Sequence, residues 1–296
     1  MPRFLAETCR ICVAALTAAV AVVPATYAQA QDPQENDSPR FTYATEFSAT
    51  IGSKDDGYFN YTDYEYSLLR LVTGSFVGSL RLNERVQILG EARLQNDRVQ
   101  NSALYVRIRP WPVAPIAVLA GRIPPTFGRF GRQAYGRANL VIGTPLAYQY
   151  LTTLRSTQVP VGTDALLTVR GRGWLVTYPS AVSGSMAPQA DAGLPLIASS
   201  RWDTGIQVNT AVGLFESSVA FTNGSLSNPR VSDDNDGKQV AGRVTVHPVS
   251  WAEFGGSVSR GAFLHRSVTA ALPAGTAAGD YVQVATGADA EVSAGH

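Results

Sequence analysis

An alternation of apolar and polar residues between positions 85 and 109 constrains the fold of this chain most. The segment RVQILGEARLQND has apolar or small residues at even positions, and ALYVRIRP repeats the pattern after a polar interruption at 97–101. Side chains of a β-strand point alternately to opposite faces, so the two segments predict a hairpin with one apolar and one charged face. The apolar face would carry Val86, Ile88, Leu94, Leu104, Val106 and Ile108.

Similar alternation recurs along most of the chain. A soluble sheet buries its apolar face in a core, whereas a transmembrane barrel turns that face to lipid and lines a hydrated lumen with the polar face. Many such segments of about ten residues favour an all-β, antiparallel transmembrane β-barrel, with a secreted soluble β-sandwich as the alternative. Besides the hairpin, strands are predicted at about 41–51, 64–82, 115–123, 165–179, 200–212, 214–223, 238–247, 250–261 and 280–293.

The predicted connections fall into two length classes, which is typical of outer-membrane barrels. Short turns are expected at 83–84, 110–112, 212–213 and 247–248. Long loops are expected at 52–63, 124–164, 180–199, 224–237 and 262–279. Counting strand directions requires two short strands within 165–179, with a turn near 171–173.

The first thirty residues have the features of a secretory signal peptide. Arg3 and Arg10 flank the start of an apolar run at 11–23 that is short for a membrane span, and Ala28 and Ala30 form an A-x-A cleavage site. Cleavage after Ala30 would export the chain, and an uncleaved signal anchor is the alternative. Residues 31–39 then form a polar, disordered lead-in, and residues 40–296 form the barrel.

Composition narrows the function classes. Both cysteines, Cys9 and Cys12, lie in the predicted signal peptide, so the mature chain has no disulfide and no thiolate metal site. The net charge of +1 gives no reason to expect a nucleic-acid partner. Lys54 and Lys238 are the only lysines, and all other basic side chains except histidine are arginines. Arginine stays charged when it is partly desolvated, so this composition favours a charged lumen wall. After the leader, no apolar run is long enough for a membrane helix.

The most probable functional region is the long segment 121–155, in which arginines and aromatic residues are interleaved. Long loops in compact folds are usually functional or disordered, and the aromatic content argues against disorder. A loop of this kind folds into the lumen of a porin, where arginines lower the electrostatic barrier for anions. The constriction is expected to contain Arg122, Arg129, Arg132, Arg137, Arg155, Tyr135, Tyr148 and Tyr150. The lumen wall is expected to contain Arg85, Glu91, Arg93, Arg107, Arg109 and Arg243.

The alternative role of the loop arginines is structural. They would pair with lumen carboxylates such as Glu91 and hold the loop in place as a plug. Anion selection and loop anchoring can coexist.

Several phrases of the sequence resemble a known family. GRIPPTFGRFGR, NLVIGTPLAYQYLTTLR, RWDTGIQ, DDNDGKQVAGR and GADAEVSAGH are similar to Gram-negative outer-membrane barrels of the phosphate-selective porin-like type. The resemblance runs from about 115 to the end. It implies passive diffusion of small solutes across the outer membrane, whose lipid would surround the barrel. It also implies about sixteen strands, of which this chain would hold about twelve as a C-terminally truncated fragment. The sequence does not determine the oligomeric state, and a homotrimer is one of the assemblies compatible with it.

Catalysis and metal binding have little support in the sequence. No G-x-S-x-G or H-E-x-x-H motif is present, and Ser267 near His265 is not a motif. The run Asp233-Asp234-Asn235-Asp236 has oxygen ligands for calcium but lacks a full twelve-residue loop with its closing glutamate. The chain is therefore expected to be a non-enzymatic channel without metal or cofactor, and the second hypothesis is a non-conducting structural or ligand-binding barrel.

Overall fold

The fold is known from a computed structural model, which describes residues 40–49, 72–95, 98–111, 113–133, 145–152, 154–159, 162, 173–174, 193–198 and 202–293. In these residues the chain is almost entirely β-structure. The strands are β1 Phe41–Ala49, β2 Val72–Arg81, β3 Val86–Gln95, β4 Arg98–Ile108, β5 Ile116–Ile123, β6 Tyr150–Leu151, β7 Gly173–Trp174, β8 Asp203–Val212, β9 Phe215–Thr222, β10 Gln239–Val249, β11 Ala252–Ala262 and β12 Val282–Val292.

The helices are short. Two α-helical turns, α1 Phe130–Gln133 and α2 Leu146–Gln149, follow β5, and two 3-10 helices, Arg266–Ala271 and Ala278–Asp280, lie between β11 and β12. No helix in the described ranges has the length and apolar character needed to cross a membrane.

Ten strands form one antiparallel sheet in the order β1-β2-β3-β4-β5-β8-β9-β10-β11-β12, and β6 pairs with β7 in a separate two-stranded sheet. The all-β antiparallel class predicted from the sequence is thus confirmed. No pairing between β1 and β12 joins the two edges of the sheet within the described residues, so this sheet is open.

The hairpin predicted at 85–109 is confirmed, with one difference. Val86 pairs with Ile108 and Gly90 with Leu104, which places the even positions of β3 and those of β4 from Leu104 onward on one face. A register shift after Glu91 inserts one extra residue in β4, and the strand begins at Arg98 instead of after the polar interruption. A bulge of this kind reverses the alternation, so the sequence pattern indicates an interruption of the strand where the strand in fact continues.

The connections also differ from expectation in two places. The turn after β10 lies at 250–251, because β10 continues through Pro248 with a register shift between Val246 and Val249. A proline has no N–H to donate, and a bulge accommodates it within a strand. β5 pairs directly with β8, so the strand count needs no additional strands within 165–179, a segment described only at 173–174.

Long connections gather at one end of the sheet because consecutive strands are antiparallel. Residues 124–202, 223–238 and 263–281 connect strands at this end, where 96–97 is a short exception. The opposite end has the turns 82–85, 109–115, 213–214 and 250–251. Under the long connections, Leu264, Val268 and Ala278 form a small buried apolar cluster.

The two faces of the sheet have unusual burial. On β11, Val258 is 58% exposed while its neighbour Ser257 is 4% exposed, and on β10 Val244 is 54% exposed beside Arg243 at 5%. The same relation extends across β8 to β11. The exposed apolar side chains include Ile206, Val208, Val219, Phe221, Val240 and Phe254. The buried polar side chains include Gln207, Ser218, Thr222, Gln239, Thr245, Glu253 and Ser259.

The sheet curves with its polar face on the concave side. Phe127 lies four residues after Ile123, the last residue of β5, and a Cβ on Gly287 of β12 would be 2.9 Å from the Phe127 ring. β5 and β12 are five strand spacings apart, about 24 Å on a flat sheet. The register also places Gly287 level with Ala117, six residues before Ile123, which adds an offset of about 20 Å along the strands of a flat sheet. Four residues span at most about 14 Å, so the chain and one phenyl side chain together cannot reach across both separations. The strands must therefore bend around the segment that follows β5.

Candidate functional site

The segment 124–133, here called the strap, crosses the polar face of the sheet. Phe127 is buried, and the backbone N–H of Gly128 donates to the Ser257 Oγ at 3.1 Å. Gly128 has a φ of 68°, a conformation that a glycine adopts without strain. These contacts hold the strap against β11 and β12, on the side of the sheet that is buried.

Arg129 anchors the strap electrostatically. Its guanidinium forms ion pairs with Glu253 of β11 and Glu291 of β12. These two glutamates are directly opposite each other in the antiparallel pair. Like charges at opposite positions destabilise a sheet, so Arg129 compensates a repulsion that the sheet itself creates.

Arg243 is the buried centre of the same network. Its guanidinium makes a bidentate pair with Asp289, through Nη1 to Oδ2 at 2.5 Å and Nη2 to Oδ1 at 2.6 Å. It also donates to Glu253 at 3.3 Å and to Ser257 at 3.2 Å. A Cβ on Gly255 would be 2.3 Å from the Arg243 Nη2, so the guanidinium can cross β11 only because this residue is glycine.

His247 of β10 connects the network to a fourth strand, β9, through Glu216. Its Nε2 is 3.6 Å from the Glu216 Oε1, and its Nδ1 is 3.9 Å from the Glu253 Oε2. We call the complete set the charged cluster. Its members are Arg129, Glu216, Arg243, His247, Glu253, Asp289 and Glu291. The members of the cluster pair with one another. Within the described ranges, no group of three or more His, Cys, Asp and Glu side chains is arranged to hold a metal ion.

Four of the eight side chains expected at the constriction lie in the described part of the chain, and among these four Arg129 alone joins the charged cluster. Tyr148 is buried against Phe130, with ring centroids 5.0 Å apart, and Arg155 donates to Gln158 at 3.1 Å. Arg122 is the register partner of Leu104 and Thr204, which places it on the apolar face and apart from Arg129. Tyr135, Arg137 and the side chains of Arg132 and Tyr150 lie outside the described residues, as do Ala28 and Ala30.

Some of the residues expected on the lumen wall lie on the polar face of the sheet. Arg93 forms an ion pair with Glu91 and lies over the Trp202 ring at 5.5 Å. Glu91 is thus paired within its own strand, and the strap arginine has other partners. Arg107 donates to Gln87, Arg85 is exposed in the turn, Arg109 is half-buried, and Arg243 belongs to the charged cluster.

Five members of the charged cluster were not identified as site residues from the sequence: His247 and the carboxylates Glu216, Glu253, Asp289 and Glu291. Their signal was their position, since each lies on the polar side of an alternating strand. The residues they pair with are distant in the sequence. Alternation therefore predicted the face on which these carboxylates lie and gave no information about their partners.

The carboxylate of Asp203 organises the loop 223–238. The Asp203 carboxylate accepts the backbone N–H groups of Thr204 at 2.8 Å, Gly224 at 2.9 Å and Arg230 at 2.9 Å. The acidic residues considered as calcium ligands also have protein partners. Asp233 pairs with Lys238, and the hydrogen bond from that lysine lowers the pKa of the Asp233 carboxyl.

No protein-family model matches this chain, and no curated protein sequence matches it. The comparisons therefore do not identify a porin family, and what the chain does must be argued from its geometry.

Proposed function

We propose that this chain forms the wall of an outer-membrane β-barrel through which small solutes diffuse passively. The proposal needs a sheet whose apolar face meets lipid and whose polar face meets a hydrated interior. It also needs closure of the sheet edges, because unpaired backbone groups are strongly unfavourable within lipid.

One observation carries the proposal: the faces of the sheet are inverted relative to a soluble protein. Exposed Val244 and Val258 alternate with buried Arg243 and Ser257 on adjacent strands. Soluble proteins rarely expose contiguous apolar surface. An apolar exterior around a concave, charged interior is the arrangement that a bilayer stabilises.

The selectivity of the channel is a separate question. The arginine-rich loop and lumen wall predict a preference for anions, but the guanidinium groups of Arg129 and Arg243 both form ion pairs with carboxylates. These two guanidinium groups are therefore poorly placed to attract a permeating anion.

Conductance tests the channel proposal directly. The mature chain, refolded in detergent, should migrate differently on gels before and after heating and should give discrete conductance steps in a planar bilayer. A salt gradient then gives the ion preference from the reversal potential. A chain that stays in aqueous solution without detergent would contradict the membrane assignment and support a secreted β-sandwich.

A non-conducting barrel is the second candidate, and the anchored strap favours it. Arg129 binds two strands at once while Phe127 packs over Gly287, so the strap occupies space inside the curve of the sheet. In that case the intact chain would insert into bilayers without conducting. Deletion of residues 124–164 would then create a conductance, whereas the channel proposal requires conductance from the intact chain.

A further inference from the structure

The apolar face of the ten-stranded sheet carries two charged residues within the described part of the chain, Arg122 of β5 and Arg260 of β11. The acidic residues of the described strands all lie on the polar face. We propose that these two arginines bind the phosphate groups of anionic membrane lipids. This inference rests on the proposed insertion of the sheet into a bilayer, and it assigns the barrel a lipid partner.

Arg260 is an exposed cation in apolar surroundings. Its register partners Val240 and Val284 are 52% and 67% exposed, and Val258 on the same face of β11 is exposed as well. No acidic side chain among the described residues pairs with the Arg260 guanidinium. A charge without a counter-ion is unfavourable against hydrocarbon, so in a bilayer this guanidinium requires an anion from outside the chain.

Both arginines lie at the end of the sheet where the long connections gather. Arg122 directly precedes Ile123, the last residue of β5, and Arg260 lies just before Ala262, the last residue of β11. The exposed Trp251 lies in the short turn at the opposite end of β11. The stretch from Trp251 to Arg260 covers about 30 Å along the strand, or about 23 Å along the membrane normal at a strand tilt of about 40°. The apolar band of a transmembrane barrel is about 25 Å high, so Arg260 would lie at the level of the lipid headgroups.

The chemistry of arginine fits a lipid phosphate in this position. Its aliphatic stem packs along an apolar surface while the guanidinium extends to the polar boundary of the bilayer. The planar guanidinium donates two parallel hydrogen bonds to phosphate oxygens, which an ammonium group does not. Lys238, the residue before β10, differs in a second respect, because its charge is already paired with Asp233. The two arginines are therefore the better lipid ligands at this end of the sheet.

The two arginines form separate sites. β5 and β11 are four strand spacings apart, about 19 Å across a flat sheet. Each arginine is therefore expected to bind a lipid of its own. Arg122 is half-buried between Leu104 and Thr204, whereas Arg260 is exposed, so the tighter site is expected at Arg260. The acyl chains of that lipid would lie against the exposed valines of β10 and β11.

Native mass spectrometry of the mature chain in detergent tests the proposal, with diphosphoryl lipid A as the anionic probe and phosphatidylcholine as the neutral one. The wild-type chain should retain up to two molecules of lipid A under conditions that remove phosphatidylcholine. Arg260→Gln should weaken the tighter site at least tenfold, and the double variant with Arg122→Gln should retain no lipid A. Inorganic phosphate at the same concentration should not compete, because it has no acyl chains to contact the valines.

Arg266→Gln is the matched control, because Arg266 is 61% exposed and lies in the connection after β11 instead of on the apolar face. This variant should bind lipid A as the wild type does, and all variants should keep the change in gel migration on heating. Equal loss of lipid A in Arg266→Gln and Arg260→Gln, or retention of lipid A by the double variant, would overturn the lipid sites. If the chain still inserts and conducts, the proposed function survives that result. A chain that enters no bilayer would overturn both proposals.

Discussion

Glu253 and Glu291 lie directly opposite each other on β11 and β12, and the guanidinium of Arg129 binds both. Arg129 belongs to the strap, more than a hundred residues earlier in the chain. The pairing makes the strap part of the electrostatic balance of the sheet. Removal of the arginine should therefore affect both the position of the strap and the stability of the strands beneath it.

Arg129→Ala should lower the free energy of unfolding by on the order of 1–2 kcal/mol, because the two glutamates are left to repel each other. In the proposed channel, the released strap should also change the single-channel conductance. Denaturant unfolding in detergent and bilayer recordings measure the two effects.

Glutamine substitutions provide the control for this prediction. In a chain carrying Glu253→Gln and Glu291→Gln, no repulsion remains, so Arg129→Ala should have little further effect on stability. Equal destabilisation in both backgrounds would show that the arginine does not act as the counter-ion of the glutamates.

Gly287→Ala should displace the strap sterically, since the added methyl would be 2.9 Å from the Phe127 ring. Overpacking of this kind typically costs about 1–3 kcal/mol. Gly256→Ala is the matched control on the neighbouring strand, because no atom lies within 4 Å of its Cβ position. Thermal unfolding should separate the two variants, and a Phe127→Ala background should rescue Gly287→Ala. Equal melting temperatures for the two glycine variants would contradict the packing described.

Asp203→Asn should loosen the loop 223–238 without disturbing the sheet. Gly224 and Arg230 donate to different oxygens of the carboxylate, and asparagine replaces one of these oxygens by an NH2 group that cannot accept, so one of the two bonds is lost. Loss of charged, buried hydrogen bonds of this type is worth about 2 kcal/mol or more. Limited proteolysis should cut this loop faster than in wild type, while Asp236→Asn, at a side chain 91% exposed, should leave the rate unchanged. Equal cleavage of both variants would show that Asp203 does not organise the loop.

The strands could be predicted from the sequence because their signal is local. Alternation over about ten residues placed β8 to β12 within a few residues of their observed bounds, and it assigned Val244 and Arg243 to opposite faces. Local bulges were not predicted from the alternation. The extra residue in β4 and Pro248 within β10 each interrupt the alternation without ending the strand.

The contacts of the site could not be predicted from the sequence, because they join distant segments. Nothing near Arg129 in the chain indicates Glu253 or Glu291, and Glu91, the carboxylate expected to pair with the loop arginines, pairs with Arg93 instead. Such contacts follow from the curvature of the sheet and from loop packing, which residue patterns do not encode.

The central claim is that the exposed face of the sheet meets lipid, and single spin labels along β11 test it most directly. The sequence has only Cys9 and Cys12, both in the predicted signal peptide, so single cysteines can be introduced along β11 of the mature chain. In liposomes, labels at Phe254, Gly256 and Val258 should be accessible to oxygen dissolved in the bilayer, and labels at Ser257 and Ser259 should be protected from it. Accessibility of the even positions to a water-soluble nickel reagent instead, or no alternation at all, would contradict the account.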